Sequence, residues 1–223
     1  MLSHPLLQVI HDHTHAVRSG RVRCELEICP RCSQAPDVFK IHERRKRTFR
    51  VVVERLVHCV SSLLVRWKCG LCKQTFSECP AFALPYKRYV REVVLDFGRF
   101  YLNDDSTSYR KAVRVEGLPV FYDGEPDGVV DERVLSASTL QRWLGFLGRL
   151  EHTLRSALRL IRSASPRCDL FRRAQPVVSW KYRSLERRRR LQVGLSLMVA
   201  EASFQSLFAT SIFPGLATHE RWT

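Results

Sequence analysis

Cys29-Pro30-Arg31-Cys32 and Cys69-Gly70-Leu71-Cys72 are the stretches of this chain whose residue types and spacing can do chemistry. Each is a Cys-x-x-Cys pair, and two thiolate pairs drawn together make the tetrahedral sulfur cage that zinc prefers. A two-residue spacing lets one tight turn aim both sulfurs, with nearby backbone N–H groups, at a single ion. Gly70 follows the first cysteine of its pair and suits a turn position in the left-handed region. One structural Zn2+ on Cys29, Cys32, Cys69 and Cys72 is therefore expected, with a redox dithiol or two unrelated pairs of buried thiols as the alternatives.

The segment between the pairs is longer than in the commonest four-cysteine spacing, so it must fold by itself, most simply as a β-hairpin or three-stranded ribbon. Asp37 to His42 alternates as a strand does, and Thr48 to Val53 and Leu63 to Trp67 are rich in β-branched or aromatic residues. Cys69 then falls at a strand end, and Thr75-Phe76-Ser77 starts the return. The basic run Arg44-Arg45-Lys46-Arg47 fits a hairpin turn or an exposed edge. It either clamps phosphates or serves as a solvated segment that protects an edge strand from aggregation. His42, His58, Cys59 and Cys79 are substitute ligands, although none adds a second knuckle spacing. Upstream, His11, His13 and His15 would share one face of a strand; the plainer reading of residues 1–28 is a solvated polar lead-in. Cys24 reads as a buried or free thiol.

Further along, Pro80 and Pro85 interrupt regular structure, and Ala83 to Tyr89 reads as a hinge carrying Lys87 and Arg88. From Tyr89 the apolar period becomes helical through Val90, Val93, Val94, Phe97, Phe100 and Tyr101. Asn103-Asp104-Asp105 ends that helix. Ser106 or Thr107 caps a second, short helix over Tyr109 to Arg114, and residues 122–128 are loop by composition. A third helix opens at Ser136 to Trp143, with Ser138 and Gln141 in a capping-box pattern and Leu140, Trp143, Leu144 and Leu147 on its buried face. Three helices in this order read as a helix-turn-helix, whose third helix enters the major groove with Thr139, Gln141 and Arg142 toward base edges. A plain three-helix bundle is the competing view.

Cys-Pro-x-Cys, a basic β segment, Arg-x-x-Cys-x-x-Cys-x-x-Thr-Phe, Leu-Pro-Tyr-Lys-Arg-Tyr and then the helices resemble the N-terminal part of bacterial insertion-sequence transposases and related transposon-associated proteins. The resemblance spans about residues 29–150 and rests on Cys29, Cys32, Cys69, Cys72, Thr75, Phe76, Leu84 to Tyr89 and Ser138 to Trp143. It implies a zinc ribbon and a helical module that bind the ends of a mobile element, followed by a nuclease domain using metal-bound carboxylates. Here the chain departs from the pattern. After residue 150 its acidic residues are Glu151, Asp169, Glu186, Glu201 and Glu220, scattered and without strand-rich surroundings. Instead Leu154, Leu158 and Ile161 extend a helix that Pro166 ends. Arg187-Arg188-Arg189-Arg190 then leads into an apolar helix over residues 185–208, the arginines lying on DNA or on a solvated face.

The expected architecture is α+β: an N-terminal extension (1–28), a four-cysteine zinc ribbon (29–80), an all-α helix-turn-helix (86–150) and a C-terminal helical region (151–223). A net charge of +15 and a pI near 10 make a polyanion the expected partner, nucleic acid before membrane. No apolar run reaches a membrane span, no signal peptide is visible at the N-terminus, and the paired cysteines favour reduced thiolates in a bacterial cytoplasm, associated with the nucleoid. Enzyme readings are disfavoured. Cys168 has no base nearby in sequence, Asp104, Asp105, Asp123, Asp127 and Asp131 suit caps and turns, and no phosphate-binding glycine loop or small-molecule site is visible. Double-stranded DNA, with a separate transposase or recombinase, is the expected partner set. A transcriptional regulator, or a protein–protein adaptor built on the ribbon and C-terminal helices, are the rival functions.

Overall fold

The structure, a computed structural model, describes residues 4–26, 28–122, 134–172, 174, 176–178 and 184–213. It is mixed α+β, with seven helices and a sheet among the described residues. The chain divides into two compact units. The first holds residues up to Val53, His58–Arg91 and Phe213; the second holds Glu54–Val57 and Glu92–Ile212.

In the first unit, helix α1 (Pro5–Arg18) precedes strands β1 (Phe39–Val53), β2 (Leu56–Cys69) and β3 (Thr75–Glu78), which lie in the order β1-β2-β3. β2 and β3 are antiparallel, with Trp67 opposite Phe76 and Lys68 opposite Thr75. Residues 5–18 are thus helical, which corrects the reading of a polar lead-in. Pro5 at the helix start and the His4 side chain, which accepts from Leu6 N–H, set the N-terminus. Ile10, Thr14 and Val17 form the buried stripe. The Thr14 hydroxyl donates to the Ile10 carbonyl and lies 2.7 Å from Ser62 Oγ, satisfying both buried hydroxyls. The helical period also separates the three histidines. His11 and His15 are exposed, whereas His13 Nε2 lies 3.0 Å from the Leu63 carbonyl and its ring stands edge-on to Phe82. Burial holds the His13 imidazole below its usual pKa.

β1 runs straight through the basic cluster, so Arg44 to Arg47 lie within a strand and not in a turn. The turn is at Glu54, whose φ is 54°. Alternation explains this: Phe39, Ile41, Phe49 and Val51 point inward while Lys40, His42, Arg44, Lys46 and Thr48 are exposed, and β1 forms the edge of the β1-β2-β3 path. The stretch read as a hinge is packed. Phe82, Ala83 and Leu84 are buried, and Tyr89 bridges Arg50 in parallel, with Arg50 N–H donating to the Arg88 carbonyl and Val90 N–H to the Arg50 carbonyl.

The second unit comprises α2 (Arg91–Asn103, entered at Glu92), α3 (Tyr109–Ala112), the short strands β4 (Arg114–Val115), β5 (Leu118–Pro119) and β6 (Phe121–Tyr122), then α4 (Ala137–Leu147), α5 (Glu151–Ala164), α6 (Asp169–Arg172) and α7 (Leu185–Phe208). The second helix is shorter than expected. Ser108, not Ser106 or Thr107, caps it, and an antiparallel β4–β5 pair turning at Gly117 (φ 77°) follows. Ser106 and Thr107 instead donate to the Asp104 carboxylate. β6 pairs in parallel with Leu56–Val57. The expected loop beyond Tyr122, with Asp123, Asp127 and Asp131, lies outside the described residues.

α7 organises this unit. Leu191, Val193, Gly194, Leu195, Leu197, Met198, Ala200 and Phe204 are buried around its circumference, and α4, α5 and α6 pack against it. A helix apolar on most sides must be central. Its C-terminal end, with Ala209 left-handed (φ 53°), is closed by a buried carboxylate: Glu201 accepts from Gln205 Nε2, the Ser211 hydroxyl and Ile212 N–H, all within 2.8 Å.

Candidate metal centre and basic surfaces

The four cysteines named from sequence converge. One sulfur from each of Cys29, Cys32, Cys69 and Cys72 lies within 4.8 Å of every other, and Cys29 Sγ is 3.8 Å from Cys72 Sγ. This is the sole such cluster of histidine, cysteine and acidic side chains among the described residues. Sulfurs about 2.3 Å from a common zinc stand about 3.8 Å apart, so the donor set fits one tetrahedral ion.

Two copies of the same backbone turn build the cluster. Cys29 N–H donates to the Gln34 carbonyl at 2.8 Å and Ser33 N–H to the Cys29 carbonyl at 2.8 Å. Cys69 N–H donates to the Gln74 carbonyl at 2.9 Å and Lys73 N–H to the Cys69 carbonyl at 3.1 Å. The residue after each second cysteine is left-handed, Ser33 at φ 56° and Lys73 at φ 61°. Gly70, expected to need that conformation, has a negative φ. The counterpart position in the first turn is Pro30, whose ring permits only negative φ, so two matching turns could not place a left-handed residue there. The second turn doubles as the connection between β2, ending at Cys69, and β3, opening at Thr75, as the sequence suggested.

The cluster is also part of a hydrophobic core. Cys29 and Cys69 are buried with Val17, Val65, Trp67 and Phe76, and Phe39, Ile41 and Leu63 flank them. Phe39 stands edge-on to Phe76 at 5.0 Å. Burial pushes the Cys69 thiol up, but the backbone N–H groups of Cys72 and Leu71 outweigh it and bring the pKa down to about 7. Cys72 takes help from the backbone at Gln74, yet burial and the neighbouring sulfurs raise it to about 11. One thiolate forms readily; several side by side need a cation. The remaining cysteines of this unit differ. Burial, reinforced by Glu78, lifts Cys24 to about 12, and burial raises Cys79. His42, His58, Cys59 and Cys79 stand outside the cluster.

The basic residues fall into separate groups. On β1, Arg45 pairs with Glu43 at 2.8 Å, and Arg44 Nε donates to the Val17 carbonyl at 3.1 Å. Lys46 is exposed. Arg47 donates to the Lys87 carbonyl at 2.9 Å and lies over the Phe49 ring, so the strand edge brings Arg47 together with Lys87 and Arg88. In the second unit, α4 is capped by Ser136, whose side chain accepts from Thr139 N–H, and not by Ser138, so Gln141 is outside any capping box. Gln141 and Arg142 are exposed near the start of the helix, and Arg142 folds back onto the Ser138 carbonyl and Thr139 Oγ1, both at 3.3 Å. Gln141 lines a cavity of about 310 Å³ with Tyr109, Ser184, Arg187 and Arg190, which joins two groups that are far apart in sequence. Within the α7 run, Arg187 donates to the Tyr109 hydroxyl, Arg189 lies 3.3 Å from Glu151, and Arg190 pairs with Glu186.

The sequence reading passed over Arg155, Arg159 and Arg162, which are exposed along α5. Their spacing of four and three residues was the available signal. No helix among the described residues is long and apolar enough to cross a membrane. No protein-family model, curated protein or solved structure matches the chain.

Proposed function

We propose that the chain is a zinc-dependent, sequence-reading double-stranded DNA-binding protein, an accessory or catalytically truncated relative of insertion-sequence transposases. The observation that carries this reading is the pair of matching Cys-x-x-Cys turns that direct four sulfurs to one point, in a core that also takes Phe39 and Ile41 of β1, the strand that carries Arg44 to Arg47. Zinc holds the two turns together and supplies folding energy to a unit whose core includes the ligands themselves. Lys46, Lys87 and Arg88, with Arg44, Arg45 and Arg47, neutralise phosphates. The first turns of α4 meet base edges, Gln141 suited to adenine and Arg142 to guanine once released from its own helix, with Thr139 beside them. Arg187 to Arg190 add phosphate contacts, Arg187 and Arg190 from the cavity that they line with Gln141. A separate transposase or recombinase supplies the strand chemistry.

Two measurements on the purified chain test this. Metal analysis should find one zinc per chain. Duplex affinity should fall steeply with salt, with a log–log slope of about −0.9 per phosphate neutralised. A chain without metal, or without salt-dependent duplex affinity, overturns the reading, and the latter result points to the adaptor function. Preference for promoter DNA over mobile-element ends would identify a transcriptional regulator.

A further inference from the structure

α5 presents a charged face that the reading above does not use. Its apolar side, Thr153, Leu154, Ala157 and Ile161, is buried, and the helix packs on α7. The other side carries Arg155, Arg159 and Arg162, all exposed. Positions i, i+4 and i+7 fall on one stripe, which spans about 10 Å along the helix axis. Two of the three side chains are oriented in advance: Arg155 pairs with Glu151 at 2.6 Å, and the Arg162 guanidinium lies 4.5 Å over the Phe171 ring. Arg189 of α7 widens the stripe by reaching the same Glu151, with its side chain 71% exposed. Glu151 is thus shared between Arg155 and Arg189, one carboxylate for two guanidinium groups, and Arg159 and Arg162 add two further positive charges along the stripe.

We infer that this α5 stripe is a second phosphate-binding surface, tracking one strand of duplex DNA; the inference rests on the DNA-binding reading proposed above. Phosphates on one strand recur about every 3.4 Å of duplex axis and farther apart along the winding strand itself, so a stripe of this length reaches more than one of them. Arginines that contact backbone and not base edges set register and affinity without reading sequence. A membrane surface is the other polyanion to weigh. A helix lying on a bilayer buries its apolar face in lipid, and the apolar face of α5 is already covered by α7.

The test is the full chain carrying Arg159→Gln with Arg162→Gln, compared with the parent on the same duplex. The salt slope should fall in magnitude by about 1.8, equally for different sequences, with the thermal midpoint unchanged. The Arg159→Lys, Arg162→Lys chain should keep the parent slope. An unchanged slope in the glutamine variant, or an equal loss in the lysine variant, overturns the inference while the parent's own slope still supports DNA binding. A parent lacking salt-dependent duplex affinity overturns both. A glutamine variant that loses binding to phosphatidylserine vesicles but keeps its duplex slope makes the stripe a membrane surface, and the inference fails.

Discussion

Gly148 passes so close to Arg190 that a Cβ at this position would lie 2.5 Å from the Arg190 carbonyl oxygen and 2.8 Å from its Cβ. Here the end of α4 crosses the first part of α7, the helix that α4 and α5 share as a core. The backbone of Gly148 is ordinary, with φ −66°, so the demand for glycine is steric. Gly148→Ala should destabilise the second unit by about 1–3 kcal/mol, the usual cost of overpacking, read as a lower denaturation midpoint. An unchanged midpoint would mean that the crossing is looser than the distances indicate.

Cys69→Ser should abolish metal binding and disorder the first unit, because the buried sulfur belongs both to the ligand set and to the core. Cys59→Ser, at an exposed position outside the cluster, should leave metal content and fold unchanged. Metal analysis with circular dichroism on both variants decides the matter. A Cys69→Ser chain that stays folded without metal would remove the structural role given to zinc.

Glu78 gives the first unit a pH dependence of definite sign. Burial, with repulsion from Glu25, raises its carboxyl pKa above the ordinary 4.5, although Glu25 N–H donates to it at 3.0 Å. The folded state therefore holds the proton more tightly than the unfolded one. That stabilisation is fully present below 4.5 and is lost as pH rises through the folded value. Glu78→Gln, which keeps an acceptor for Glu25, should stabilise the chain at neutral pH, and the gain should shrink toward zero in acid. A gain of the same size at both ends of the range would show that charge is not the cause.

On the strand edge, Lys46→Gln combined with Arg88→Gln should lower the magnitude of the salt slope of duplex binding by about 1.8 without altering sequence preference. Both side chains are exposed, so the fold should persist. Gln141→Ala should instead change preference among sites. If the two variants behave alike in a selection from random duplexes, the division between phosphate contacts and base reading is wrong.

The two Cys-x-x-Cys turns, the return strand after Cys72 and the apolar stripe of α4 were legible in the sequence, because each depends on residues a few positions apart: a turn hydrogen bond, an alternation, a helical period. Long-range pairing settled the rest. The basic run became strand because β2 stood ready to pair with it, and side-chain pattern alone does not tell an edge strand from a turn. Residues 5–18 became a docked helix because Ser62 and Leu63 offered partners to Thr14 and His13. Ser136 displaced Ser138 as cap because the helix begins where the preceding backbone turns, not where the pattern first matches. α7 was legible as an apolar helix, of the core or for a partner; that α4, α5 and α6 are what it packs against was settled by the tertiary structure. Within a few residues the chain specifies how sulfurs and apolar stripes are presented; which of them meet was decided only when distant segments shared one core.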